Sequence, residues 1–304
     1  MIYIAQRLLH GVAVLLGVSV VVFGLTWLTG DPASVLLPVN TPPEQVAVFR
    51  HSMGFDQPVP VQYLSFLGRA LHGDFGVSFR HRSSALPLVA ERLPATLRLM
   101  AAALAFALLL ALPLGILGAT FHGRWPDLLS RIVALLGQSI AAPWLGVMLI
   151  LVFAVNLRWL PSSGASRPDA IILPAIVAGA YSAAGLTRLL RSSLLEVLGN
   201  DYIRTARAKG LAERSIMARH ALKNAAIPVI AFLGIQITFM FGGTIVAETM
   251  FAYPGMSRLA VEAIATRDLP VIQVFVLLAG GLVVLVNLLV DLLYAWLDPR
   301  IRLA

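Results

Sequence analysis

Six stretches of this chain carry no Asp, Glu, Lys or Arg: Leu8–Gly30, Leu99–Gly123, Ile132–Leu157, Ala170–Thr187, Asn224–Ala247 and Leu269–Val290. A bilayer core takes about 20 apolar residues per helix, so the pattern predicts six transmembrane helices and an all-α membrane protein. The last stretch runs on to Leu297 and encloses Asp291. The fourth is the shortest, and Arg188 and Arg191 extend it by reaching their charged heads toward water. Pro113, Pro143, Pro174 and Pro228 fall inside the stretches, where a helix bundle tolerates them as packing features or as kinks at gates. Gly242-Gly243 and Gly280-Gly281 allow close helix approach.

Composition agrees with the pattern. Hydrophobic residues make up 59% of 304 positions and charged ones 12%, about half the charged share of a soluble domain. The formal net charge is +8, but only Lys209 and Lys223 are lysines and no basic run marks a nucleic-acid face. Basic residues on cytoplasmic loops account for the charge better. With the N-terminus inside, thirteen basic residues lie on cytoplasmic segments, among them Arg7, Arg124, Arg131, Arg188, Arg191, Arg300 and Arg302. Only Arg158, Arg167, Arg258 and Arg267 lie on short outer loops. Both termini are therefore expected in the cytoplasm. The first stretch reads as an uncleaved membrane helix, being too long for a signal-peptide core. The absence of cysteine excludes disulfides and thiolate chemistry.

Two polar segments interrupt the apolar ones. An outer domain is expected over residues 31–95, between the N-terminal part with its first span (1–30) and a core of five spans (96–304). Arg50, Arg69 and Arg80 are its candidate contacts for a partner protein. An inner loop, 190–227, holds eight of the thirteen inside basic residues when Arg188 is counted at its edge. Asn200-Asp201 can start a helix there, Tyr202 to Lys209 continue it, and Gly210 supplies a left-handed stop. Tyr202, Thr205, Ala206 and Lys209 share one face, with Ala206 small enough for another protein to approach. Two readings fit this helix: a basic helix resting on anionic lipid heads, or a helix inserted into a soluble partner's cleft.

The segment Asp201-Tyr202-Ile203-Arg204-Thr205-Ala206-Arg207-Ala208-Lys209-Gly210-Leu211 resembles the EAA loop of ABC importer permeases, in the form found in the dipeptide, oligopeptide and nickel permease family. The resemblance extends along the chain through Gly30-Asp31-Pro32, Gly73-Asp74-Phe75-Gly76-Val77-Ser78, Leu93-Pro94-Ala95-Thr96-Leu97, Phe251-Ala252-Tyr253-Pro254-Gly255-Met256 and Asp291 to Arg300. Arg204 and Thr205 depart from the general pattern in the manner of the peptide and nickel branch. The resemblance implies a type I importer permease of the bacterial cytoplasmic membrane with a small extracytoplasmic domain between helices 1 and 2. It implies as partners a second homologous permease subunit, two ATP-binding subunits that carry the ATP and Mg, and an extracytoplasmic substrate-binding protein. Residues of the coupling contact would be Asp201, Tyr202, Arg204, Thr205, Ala206, Lys209, Gly210 and Glu213. Dipeptides and oligopeptides are the main substrate reading, with nickel or metal chelates and glutathione as alternatives.

Little in the chain points to chemistry of its own. It has no phosphate-binding loop of the Gly-x4-Gly-Lys-Ser/Thr kind and no His-Glu-x-x-His helix. Its six histidines are scattered, so neither a resident metal nor another cofactor is expected. An intramembrane protease would need a paired serine and histidine or two aspartates at membrane depth, and Asp291 has no second. Gln236, Glu248, Tyr253 and Asp291 are the candidate residues of a translocation path or gate. A membrane interaction or sensory protein without transport is the competing class.

Overall fold

The computed structural model describes residues 2–28, 41–52 and 56–297. Gly30-Asp31-Pro32 and the tail from Asp298 lie outside them, as does the side chain of Asp291. The described residues are helical, with a lone bridge between Val77 and Ser84. Among the described residues five helices are long and apolar enough to cross a membrane, or six if a bent pair counts as one span. Two compact units divide the chain, one of Met1–Pro94 with Leu259–Leu288, the other of Ala95–Arg258 with Leu289–Ala304.

The first unit contains α1 (Ile2–Leu28), α2 (Pro43–Ser52), α3 (Val59–Leu71) and α4 (Ala85–Ala90). Phe23 of α1 meets Tyr63 and Phe66 of α3 at ring separations of 5.5 and 5.8 Å, and the Ser19 and Tyr63 hydroxyls lie 2.8 Å apart. The turn after α3 needs left-handed backbone at Gly73 and Gly76 (φ 78° and 84°), which glycine adopts without strain. Asp268 pins that turn. It accepts the Ser78 hydroxyl at 2.5 Å and the amides of Phe79 and Arg80 at 3.3 and 3.4 Å, and it is buried, as is Ser78.

The second unit is built around α8 (Ile172–Leu198), of whose apolar window 72% is buried, against 17–28% for the other spans. Its run of Ala and Gly explains that central position. A Cβ on Gly179 would stand 2.5 Å from the Ala103 carbonyl of α5 (Leu93–Thr120), and one on Gly137 of α6 (Trp125–Ser139) would stand 2.8 Å from Ala184. Backbones this close leave space for no larger residue.

One expectation needs correction. Ile132–Leu157 is not one continuous helix: α6 and the following segment, α7 (Ala142–Leu149) with its π-helical end, meet at 108°. Ile140 and Ala141 are extended (ψ 125° and 132°). Pro143 stands in the first turn of α7, where a missing N–H orphans nothing. Interrupting the ladder just before it therefore costs little. Pro113 and Pro228, by contrast, lie inside unbroken helices.

Candidate functional site

The inner loop begins where α8 ends at Leu198. Asn200 occupies the N-cap of α9 (Asp201–Ala208) with extended backbone, but its side chain makes no capping bond. Asp201 supplies a negative charge in the first turn, favourable at the positive end of a helix. The stop is as expected: Gly210 has φ 77°, and the Leu211 amide reaches back to the Ala206 carbonyl at 3.3 Å. The short α10 (Glu213–Ser215) and a π-helical turn, Ile216–Ala221, then lead into α11 (Leu222–Met250).

The helix has two opposed faces, and Ala206 lies on the inner one. Ile203 and Ala206 are buried in this chain's own apolar cluster with Leu194, Ile216, Ala221 and Ala225. Ala206 is small enough for α9 to lie close on its own protein. Asp201, Tyr202, Arg204, Thr205, Lys209 and Gly210 are exposed. Two contacts brace the helix from its edges. Asn224 donates to the Tyr202 hydroxyl at 3.0 Å, and Arg207 donates to Glu213 at 2.7 Å across the Gly210 turn. Glu213 thus holds the loop's shape from within this chain.

At the other end of α11 a carboxylate is enclosed. Glu248 is fully buried and accepts the Thr96 hydroxyl at 2.7 Å and the Arg258 amide at 3.0 Å, with the Ser257 amide also directed at it. Those amides open α12 (Met256–Ala265), so Glu248 caps that helix from outside, satisfying donors that have no partner within it. The Met256 amide in turn donates to Thr96 at 2.9 Å. A Cβ on Gly255 would lie 2.1 Å from the Glu248 carboxyl carbon, so glycine alone fits. Tyr253 is buried beside Phe251 and Leu99, and burial pushes its hydroxyl above the ordinary range. Gln236 is buried and accepts from Ser182 at 2.8 Å. Glu248 and the Gln236 amide oxygen thus have partners within this chain, and Tyr253 is enclosed in its core.

Sequence reasoning missed Asp127. Its carboxylate is 1% exposed and accepts Arg191 Nε at 2.5 Å and the Gly123 amide at 2.9 Å, with Arg131 at 3.6 Å. Asp127 and Arg131 stand four apart, a visible helical pair, but nothing in the order of residues places Arg191 beside them.

Two family descriptions cover nearly the whole chain. Residues 1–100 match the N-terminal region of a binding-protein-dependent transport system membrane component, and residues 111–303 match the binding-protein-dependent transport system inner membrane component. The glutathione transport system permease protein GsiC of Escherichia coli K12 is 40% identical over 99% of this chain and 98% of its own length. That of Salmonella typhimurium is 41% identical over the same shares. Among solved structures, inward-facing forms of the MetNI methionine ABC transporter match at TM-scores of 0.56 and 0.57. Each covers 69% of this chain and 96% of the other, at 19% and 22% identity, and this likeness carries the fold alone. A full-length match of this kind decides for transport over the sensory alternative: the chain belongs to the binding-protein-dependent transport system inner membrane components, as an ABC importer permease of the peptide and nickel family.

Proposed function

We propose that this permease forms, with a second homologous subunit, the path for short peptides, glutathione among them, driven by ATP hydrolysed on two partner subunits. Glutathione is itself a tripeptide, so the peptide reading and the full-length GsiC relationship point to one substrate class. The observation that carries the mechanism is the two-faced helix α9. Ile203 and Ala206 anchor it to the transmembrane core while a polar face is left open. A rigid helix fixed on one side and exposed on the other can pass a partner's movement to the spans as a discrete shift. Asp201, Tyr202, Arg204, Thr205, Lys209 and Gly210 form that exposed contact, and Ala206 and Glu213 hold it in shape. The termini lie in the cytoplasm, and segment 31–95 meets the substrate-binding protein outside.

Uptake by the complete complex in proteoliposomes tests this reading. Labelled glutathione and a labelled dipeptide should accumulate only with ATP and the binding protein. Accumulation of nickel with neither peptide carried would replace the substrate class. A C-terminal reporter fusion active outside the membrane would overturn the orientation.

A further inference from the structure

A cavity of about 180 Å³ lies in the second unit between α6 and α8, its polar lining formed by Ser130, Arg131, Gln138, Arg188 and Arg191. A single water needs only about 10–15 Å³, so a polyatomic ligand fits. The charges do not balance. Asp127 serves both Arg191 and Arg131, at 2.5 and 3.6 Å, while Arg188 makes no hydrogen bond or ion pair among the described residues. Three guanidiniums against one carboxylate leave two positive charges at the cavity.

A second, independent observation points the same way. The Ser130 hydroxyl is buried and has no hydrogen-bond partner, in a residue 1% exposed. Buried hydroxyls are rarely left unpaired, and a serine among arginines is a donor set for an oxyanion. Arginine's planar fork suits two phosphate oxygens at once. Beside the cavity, Leu128, Ile132 and Leu135 form an exposed apolar stripe along α6 at helical spacing, and Leu135, 66% exposed, lines the mouth.

We propose that this cavity binds a phosphate-type anion through Arg188, Arg131 and the Ser130 hydroxyl. A phosphate diester of an anionic lipid meets this chemistry with its acyl chains on the α6 stripe, and free phosphate meets it without them.

The complex purified with all its subunits can be tested with two probes. One is inorganic phosphate in detergent, read as a shift of the melting temperature. The other is incorporation into bilayer discs of phosphatidylglycerol or phosphatidylcholine, followed by native mass measurement of retained lipid. Retention of phosphatidylglycerol over phosphatidylcholine supports a lipid source, and a shift with phosphate supports a free anion. In either case Arg188→Gln should lower the affinity about tenfold, the loss of one charged hydrogen bond. Ser130→Ala should weaken the same binding less while leaving the melting temperature of the anion-free complex unchanged, since that hydroxyl has no protein partner to lose. Should Arg188→Gln fail to fold, Ser130→Ala decides. Equal binding by wild type and variant overturns the proposal. So does loss of the ATP-binding subunits from Arg188→Gln with anion retention unchanged, which would assign the cavity to an acidic side chain of that partner.

Discussion

The two ends of α11 solve the problem of a helix start in opposite ways. At the Glu248 end the free amides of α12 are met by a buried carboxylate, and Thr96 completes the network. At the other end, α9 begins at Asn200 without a side-chain cap, and its charged residues face outward in exposed pairs, Arg204 with Asp201 and Arg207 with Glu213. The first arrangement turns its polar groups on one another. The second leaves a whole face exposed, with Ile203 and Ala206 beneath it and the Tyr202–Asn224 and Arg207–Glu213 contacts at its edges. In this permease the buried carboxyl group fixes position, and the exposed charges are the ones the proposed coupling would use.

Substitutions can break that contrast, beginning where the effect is largest. Glu248→Ala orphans the donors of Thr96, Ser257 and Arg258. It should destabilise the protein by on the order of 4 kcal/mol, with unsatisfied buried donors at about 1–3 kcal/mol each. Thermal unfolding in detergent measures this, and a melting point equal to wild type would mean the network is not structural. Ala206→Trp comes next. Overpacking beneath α9 should cost about 1–3 kcal/mol and lift the helix, so that the melting temperature and substrate-stimulated ATPase activity fall together. A fall in ATPase alone would return Ala206 to the partner's side. Tyr202→Phe removes only the Asn224 bond and should cost about 1 kcal/mol or less, read as a small drop in melting temperature with assembly intact.

The spans were legible in the sequence because a charge-free run of bilayer length has few other uses. The helix α9 and its Gly210 stop were legible for a similar reason: turn chemistry is local. Which way the helix faces was not. Tyr202, Thr205 and Ala206 share a face on a helical wheel, but the burial of Ile203 and Ala206 is decided by Ile216, Ala221 and Ala225, whose placement depends on the loop's return. The break in Ile132–Leu157 was hidden because Pro143 reads identically at a kink and at a fresh helix start. An acid at a span's end, such as Glu248, reads as a path residue because such acids are usually functional; its hydrogen-bond partners could not be read from the order of residues, since they arrive from Thr96, 152 residues earlier, and from the first turn of α12. The Asp127–Arg191 pair, 64 residues apart, was hidden in the same way.

The most direct test of the coupling claim is Thr205→Trp, because Thr205 is exposed on α9 and its side chain bonds, among the described residues, only to the Asp201 carbonyl of its own helix. The variant should melt as wild type does and purify with its ATP-binding subunits. Substrate-stimulated ATPase activity of the reconstituted complex should nevertheless be lost. Full stimulation in that stably assembled complex would contradict the account, leaving α9 as a basic helix on the lipid surface.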